Sequence, residues 1–182
     1  MVFDIYTLVE AIWLILPAYA ANGLTPILGL RKGLHTIDGG RKFRSQPLFG
    51  EGKTWEGLLF GAIMGGFIGL VEMLAYPSLP FSTSPVPLNI VTMTPLLGFL
   101  LGLGAMLGDL GGSFIKRRLR IARSRPAPVL DQLDFLAGAL LFSLILVRLE
   151  EGWIVLLAFI TFLVHIVANM MAYLLKIKKH PW

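Results

Sequence analysis

The 182-residue chain contains no cysteine. Disulfides, thiolate nucleophiles and cysteine-ligated metals are therefore excluded. Charge is also scarce: Asp, Glu, Lys and Arg make up 15% of the chain and hydrophobic residues 55%, whereas soluble domains carry about 25% charged residues. Such a composition defines an integral membrane protein. Acids are the rarest charges, 11 against 16 Lys and Arg, so any carboxylate inside an apolar stretch calls for a reason. Only three histidines are present. His165 lies in an apolar segment with Asn169 four residues on, and neither is given a role; His35 and His180 are expected in solvent.

A spanning helix needs about 20 mostly apolar residues. Five segments qualify, at 5–30, 55–76, 88–115, 131–149 and 152–176. The fourth is the weakest, because its uninterrupted apolar part is short and Arg148 must snorkel outward. The basic residues fall into three runs: Arg31 to Lys53, Lys116 to Arg125, and Lys176 to Lys179. Only Arg148 lies elsewhere, beside Glu150 and Glu151. Basic loops stay cytoplasmic. The expectation is a single all-α transmembrane catalytic domain over 1–182, with five membrane helices. The N-terminus is outside, the C-terminus is cytoplasmic, and the cytoplasmic loops lie at about 31–54 and 116–130. The start lacks a basic stretch before its apolar run, so it does not read as a cleaved signal peptide. This topology explains the net charge of +5 without nucleic acid, for which no soluble module is left. Anionic headgroups and nucleotide phosphates would be drawn to the basic face.

Small residues recur every four positions at Gly57, Gly61, Gly65 and Gly69, and again at Gly104, Gly108 and Gly112. This spacing lets helix backbones approach closely. The first segment contains Pro17, Asn22, Gly23, Thr25 and Pro26. Two readings stand side by side: a helix broken beside a polar pocket, or a simple kink. The outer link 77–87 holds four prolines and is stiff.

The chemistry concentrates at the inner end. Asp109, Ser113 and Lys116 share one helix face by their offsets, as do Asp131 and Asp134. Three carboxylates around a polybasic loop suggest a divalent metal and phosphate, with Mg²⁺ the hard cation such oxygens suit. Ion pairing with the same basic residues is the alternative. The run Gly50-Glu-Gly-Lys53-Thr54-Trp-Glu56-Gly57 ends like a P-loop, but Pro47 occupies the place of its first glycine and no strand precedes it. What survives is a helix start, able to bind anions, beside Lys53. Glu56 either caps that helix or orients Lys53 or the metal.

The strings Pro17-Ala-Tyr-Ala-Ala-Asn22-Gly-Leu-Thr-Pro26, Gly52-Lys53-Thr54-Trp55-Glu56-Gly57, Gly108-Asp109-Leu-Gly-Gly-Ser113-Phe-Ile-Lys116-Arg117-Arg118 and Leu130-Asp131-Gln-Leu-Asp134-Phe135 resemble the CDP-archaeol synthase family. That family is an archaeal branch of the phosphatidate cytidylyltransferase superfamily. The likeness spans essentially the whole chain. Bacterial and eukaryotic phosphatidate enzymes carry His-Gly-Gly before their last paired acids, whereas this chain has Pro126-Ala-Pro128-Val-Leu, which favours the archaeal branch. The resemblance implies cytidylyl transfer from CTP to an unsaturated archaeal ether lipid phosphate, 2,3-di-O-geranylgeranylglyceryl phosphate. The products would be the CDP-activated lipid and pyrophosphate. It implies a cell-membrane, multi-pass enzyme with its active site facing the cytoplasm. Asp109, Asp131 and Asp134 would hold Mg²⁺, with Lys116 also catalytic. Asn22, Lys53, Thr54, Glu56, Ser113 and Arg117 would bind nucleotide and phosphate. Membrane lipids are the remaining partners, and the oligomeric state is left open. Two rivals were weighed. A small transporter or channel with a cytoplasmic-side ion site requires a polar path through the whole membrane, yet the outer halves of the segments are nearly bare apart from Glu72. A CDP-alcohol phosphotransferase requires an Asp-Gly-x-x-Ala-Arg motif that is missing.

Overall fold

The structure, a computed structural model, describes residues 4–28, 33–121, 127 and 129–174. The basic residues Arg31, Lys32, Arg123, Arg125 and the tail from Lys176, with His180 and the Asn169 side chain, lie outside that description. Five α-helices dominate: α1 (Ile5–Leu28), α2 (Trp55–Ala75), α3 (Pro95–Arg118), α4 (Leu130–Ser143) and α5 (Glu151–Leu174). A small hairpin of β1 (Lys42–Phe43) and β2 (Gln46–Pro47) lies between α1 and α2. By length and composition, Ile5–Pro26, Trp55–Ser78 and Pro95–Arg118 can each cross a membrane, and α5 adds an apolar stretch over Glu151–Val167.

The helices begin where the chain supplies a cap. Thr54 sits in extended conformation and its Oγ1 accepts from the Gly57 amide at 3.1 Å. Thr94 does the same for the Leu97 amide at 3.1 Å, and Pro95 follows as the first helical residue. Each cap satisfies an amide that the helix itself leaves free. The N-terminal boundary of α3 corrects the sequence reading. Residues 88–94 include Leu88, Ile90, Val91 and Met93, but they form an irregular strap rather than helix. The indole of Trp13 donates to the Val91 carbonyl at 3.0 Å, and the Asn89 amide donates to Glu10 Oε1 at 2.6 Å. Trp153 closes the group by donating to Glu10 Oε2 at 3.0 Å. Bonds to other segments outweigh the helical tendency of the strap.

The fourth helix is likewise shorter than expected. It ends at Ser143, whose carbonyl accepts from the amides of both Leu146 and Val147 and so rolls the chain into turns. Its 14 residues reach ~21 Å at 1.5 Å per residue, less than the ~30 Å of hydrocarbon. The first helix is continuous over Ile5–Leu28 with both Pro17 and Pro26 inside it. Thus the broken-helix reading gives way to an unbroken helix.

Glycine-to-glycine contact sets the packing. An added Cβ at Gly65 would stand 2.8 Å from Gly102 Cα, and one at Gly69 would stand 3.0 Å from Gly98 Cα, with α2 and α3 running antiparallel. The α3–α4 pair repeats the pattern: a Cβ at Gly138 would come 2.8 Å from Gly108 Cα. Gly108 therefore packs backbone to backbone against Asp134 and Phe135. Around these contacts Leu14, Ile15, Leu97, Leu101, Trp153 and Leu157 are fully buried. Leu59, Ile63, Phe67 and Leu74 on α2, and Phe159, Leu163 and Val167 on α5, remain exposed, as suits surfaces solvated by lipid. Glu72 is buried in α2, with neither carboxylate oxygen bonded among the described residues.

Gly65→Leu should lower stability by about 1–3 kcal/mol, the usual cost of overpacking, because Gly102 offers backbone atoms that cannot turn aside. Gly23→Ala, at a position with nothing within 4 Å, should leave thermal unfolding in detergent unchanged. Equal melting temperatures for the two variants would show that the close approach is not limiting.

Candidate functional site

Antiparallel packing decides where the polar groups meet. Gly108, just past the middle of α3, touches Asp134 near the start of α4, so Asp109 of α3 is brought beside Asp131 and Asp134 of α4. The start of α2 joins them, since Lys53 Nζ forms an ion pair with Asp109 Oδ2. Lys116 Nζ pairs with Asp131 Oδ1 at 2.5 Å, and Asp131 Oδ2 accepts from the Ala127 amide at 2.9 Å. All four side chains are mostly covered, with exposures of 25% and 27% for the first pair and 17% and 22% for the second. Of the two roles considered for the clustered acids, pairing with lysine is therefore present for Asp109 and Asp131.

Asp134 differs. Its Oδ1 accepts from the Phe135 amide at 2.6 Å, while Oδ2 is buried with no hydrogen-bond partner among the described residues. It packs against Gly112, where any Cβ would collide with that carboxylate. Asp109, Lys116 and Asp131 are all near enough to act on it electrostatically. Just upstream, Val129 holds a φ of 71°. This is a strained conformation for a β-branched residue, placed one turn before the paired acids. Among the described residues, no three Asp, Glu or His groups are gathered as they stand into a metal-holding set.

The loop before α2 is built to present Lys53. Residues 35–37 lie alongside 53–55: Ile37 N donates to Lys53 O at 2.9 Å and Trp55 N to His35 O at 3.0 Å, around the Thr36–Thr54 bridge. Asp38, only 5% exposed, draws the loop together, accepting from the amides of Gly40 at 3.0 Å, Phe49 at 3.1 Å and Gly50 at 2.9 Å. Burial pushes its carboxyl upward, but the Gly50, Phe49 and Gly40 amides with the Thr36 hydroxyl together outweigh it and hold the group below the usual carboxylate range. A depressed folded value means that its contribution is present above the unfolded value near ~3.9. That contribution is lost as pH falls through the lower folded value. Gly50 takes a φ of 98° and lies beneath the Arg117 guanidinium, 3.4 Å from where a Cβ would stand, so the position requires glycine.

The other residues singled out in the sequence fall as follows. Thr54 caps α2 and lines a cavity with Lys53, Asp109, Thr25, Gly57 and Met106. Glu56 accepts from the His35 amide and bonds His35 Nδ1 at 2.6 Å, so it orients the loop rather than Lys53. Arg117 donates to the carbonyls of Phe49 and Ile121. Ser113 is buried on the packed side of α3, and Asn22 is half-buried one turn before Thr25. Two further residues shape the site: Thr25, named in the first segment but given no binding role, and Asp38, which the sequence reading did not single out. The first is hidden in a helix interior and the second in a loop where an acid carries no signal of its own.

A solved structure described as an intramembrane enzyme for archaeal membrane lipids biosynthesis is similar to this chain at a TM-score of 0.73 and 39% identity, covering 88% of this chain and 93% of that one. Bundle and site thus define a multi-pass intramembrane enzyme of lipid biosynthesis. A CDP-archaeol synthase of Pyrococcus furiosus is 40% identical over 97% of this chain and 99% of its own length, and that of Thermococcus gammatolerans is 43% identical over 94% and 95%. The family model for CarS-like CDP-archaeol synthases matches residues 3–182, and the chain belongs to that family. It is accordingly a CTP-dependent cytidylyltransferase, which leaves the transporter reading without support.

Gly112→Ala should displace the Asp134 carboxylate and lower activity by at least about 10²-fold, the scale on which misplaced catalytic groups act. Gly111→Ala, next to it in open space, should keep near wild-type activity in the same CTP-consumption assay. If both variants keep full activity, the Asp134 carboxylate does not need its present position.

Proposed function

We propose that the enzyme transfers the cytidylyl group of CTP to the phosphate of an unsaturated archaeal ether lipid, 2,3-di-O-geranylgeranylglyceryl phosphate, in an Mg²⁺-dependent reaction at the cytoplasmic face. The observation that supports this reading is the convergence of Asp109, Asp131 and Asp134 with Lys53 and Lys116 at one end of the bundle. A lipid phosphate oxygen attacks the α-phosphorus of CTP. A new P–O bond forms as the bond from the α-phosphorus to the bridging oxygen breaks, and pyrophosphate leaves with that electron pair. The attacking phosphate is already ionised at neutral pH, so no general base is required, in keeping with the lack of cysteine.

The chain's own residues do three things in this scheme. Lys53 and Lys116 exchange their carboxylate partners for phosphate oxygens and reduce the repulsion between two anionic substrates. The Asp38-tied loop keeps Lys53 and the start of α2 in register, so little reorganisation remains at the moment of transfer. Thr25, Thr54 and Gly57 wall the cavity beside Lys53. Asp134, with one buried oxygen lacking a partner among the described residues, and the aspartates released by the lysines present hard oxygen donors of the kind that Mg²⁺ takes. When bound, the ion would neutralise phosphate charge and align the reacting groups.

The test is release of pyrophosphate by purified enzyme, with the geranylgeranyl lipid phosphate set against phosphatidate, each with and without Mg²⁺. Turnover should require CTP and Mg²⁺ and favour the ether lipid. Asp109→Asn, Asp131→Asn and Asp134→Asn should each reduce turnover by at least about 10²-fold, with thermal unfolding nearly unchanged in Asp134→Asn and lowered in the other two, where a covered lysine loses its partner. Lys53→Ala should raise the KM for CTP, with only partial recovery in Lys53→Arg. Wild-type activity in two of the three aspartate variants would remove the metal assignment.

The same reading includes five spans with the N-terminus outside. Cysteine labels at Ser82 and Gly152 should then react from outside sealed cells, and a label at Ser45 only after the membrane is breached. External reactivity at Ser45 would reverse the orientation.

A further inference from the structure

A second charged surface lies beside the lysine–aspartate end and has no part in the transfer scheme. The β1–β2 hairpin turns through Arg44 and Ser45, at φ of 50° and 64°, and leaves Lys42, Phe43 and Arg44 exposed. Arg118, the last residue of α3, fixes it to the helix. Its Nη1 donates to Phe43 O at 2.8 Å and its Nη2 to Pro47 O at 2.5 Å. The guanidinium also stacks over the Phe43 and Phe114 rings, 5.2 and 4.9 Å from their centroids. Between hairpin and helix remains a cleft of about 440 Å³, within the ~300–1,000 Å³ range of small-molecule sites.

Arg44, Arg117, Arg118 and Arg120 line this cleft with Phe43, Gln46 and Phe114, and no acidic residue lines it. Arg117 and Arg118 are committed to backbone carbonyls. Arg44 and Arg120 form no ion pair with another described residue, and both line the cleft. An adjoining hollow lined by Asp38 and Glu51 shares Arg117 and Arg120, but Asp38 is already occupied by three amides. The cleft has no lining residue in common with the cavity around Lys53 and Asp109.

Its position selects the ligand. The apolar span of α3 ends at Arg118, so the cleft stands where hydrocarbon gives way to headgroups. Phe43 is 47% exposed, Ile115 46% and Leu119 64%, placing apolar surface on α3 and the hairpin close to the arginines. A free nucleotide would use a ring such as Phe43 for its base but would leave Ile115 and Leu119 bare. An anionic lipid uses both, its phosphate on the guanidinium groups and its chains on the apolar residues. We propose that the hairpin and the C-terminal turn of α3 form a binding site for the headgroup of a non-substrate anionic phospholipid, separate from the site of transfer.

The test uses the full-length enzyme in neutral detergent and follows thermal unfolding as dioleoyl phosphatidylglycerol is added. Phosphatidylcholine with the same chains, and inorganic pyrophosphate, serve as the other titrants. Phosphatidylglycerol should raise the melting temperature of the wild type in a saturable way, whereas the other two should not. Arg44→Gln/Arg120→Gln should require at least about tenfold more lipid for the same shift, the loss expected for charge-assisted hydrogen bonds. Its KM for CTP should stay within about twofold of wild type, since neither arginine belongs to the transfer machinery. Arg44→Gln alone, at an exposed turn, gives a milder variant if the double one unfolds. An equal lipid response in wild type and variants would overturn the proposal. Protection by pyrophosphate at the same arginines would also overturn it, in favour of a free-phosphate site, and a parallel rise in the KM for CTP would assign the cleft to the transfer site.

Discussion

Everything in this molecule depends on how closely α3 lets its neighbours approach. Within a membrane, apolar side chains gain little by leaving lipid for one another, so helices associate through close packing and polar contacts. Here the approach is set by backbone meeting backbone, Gly65 and Gly69 of α2 on one side of α3 and Gly138 of α4 on the other. Because both pairs run antiparallel, the second half of α3 is held against the beginnings of α2 and α4. Those three segments carry Asp109, Lys53, Asp131 and Asp134. The chemistry is thus a consequence of a steric rule that acts some distance away from it.

The charges gathered there are balanced by the protein itself. Two lysines face two aspartates in a partly covered setting, and a third carboxylate has one oxygen with no partner among the described residues. Isolating any of these charges from water without a partner would cost several kcal/mol. In the proposed scheme, phosphate-bearing substrates would bring negative charge to this cluster, and their arrival would let the lysines change partners without leaving either ammonium bare. Asp38 lies behind this exchange. It binds the loop's own amides and the Thr36 hydroxyl, and so keeps the loop that delivers Lys53 in one shape.

Much of this was legible in the residues, and the exceptions have physical causes. Acids in an apolar context stood out, so Asp109, Asp131 and Asp134 were identifiable before any coordinates, and the four-residue glycine repeat foretold close helix contact. The start of α3 was misread because Leu88, Ile90, Val91 and Met93 are as apolar as a helix would require. What keeps them out of a helix is Trp13 and Glu10, more than seventy residues away in sequence. The early end of α4 depends on one carbonyl, that of Ser143, taking two amides beyond it. Asp38 gave no sign because its partners at Phe49 and Gly50 lie 11 and 12 residues downstream, at no helical or strand period. The resemblance implied Arg117 as a phosphate ligand, but among the described residues its bonds, like those of Arg118, go to the chain's own carbonyls.

That last point bears on how the hairpin can change over time. Arg118 grips it only through the carbonyl oxygens of Phe43 and Pro47 and one stacked ring. A carbonyl is common to every amino acid, so apart from the ring at Phe43 the clamp does not read the identity of the residues it holds. The turn at Arg44 and Ser45 can therefore drift in sequence, adopting whatever charge or bulk a given membrane favours, while its place on the helix stays the same. The hairpin is a mounting with a replaceable tip, and variation among relatives should be greatest at that tip and least at the arginine beneath it.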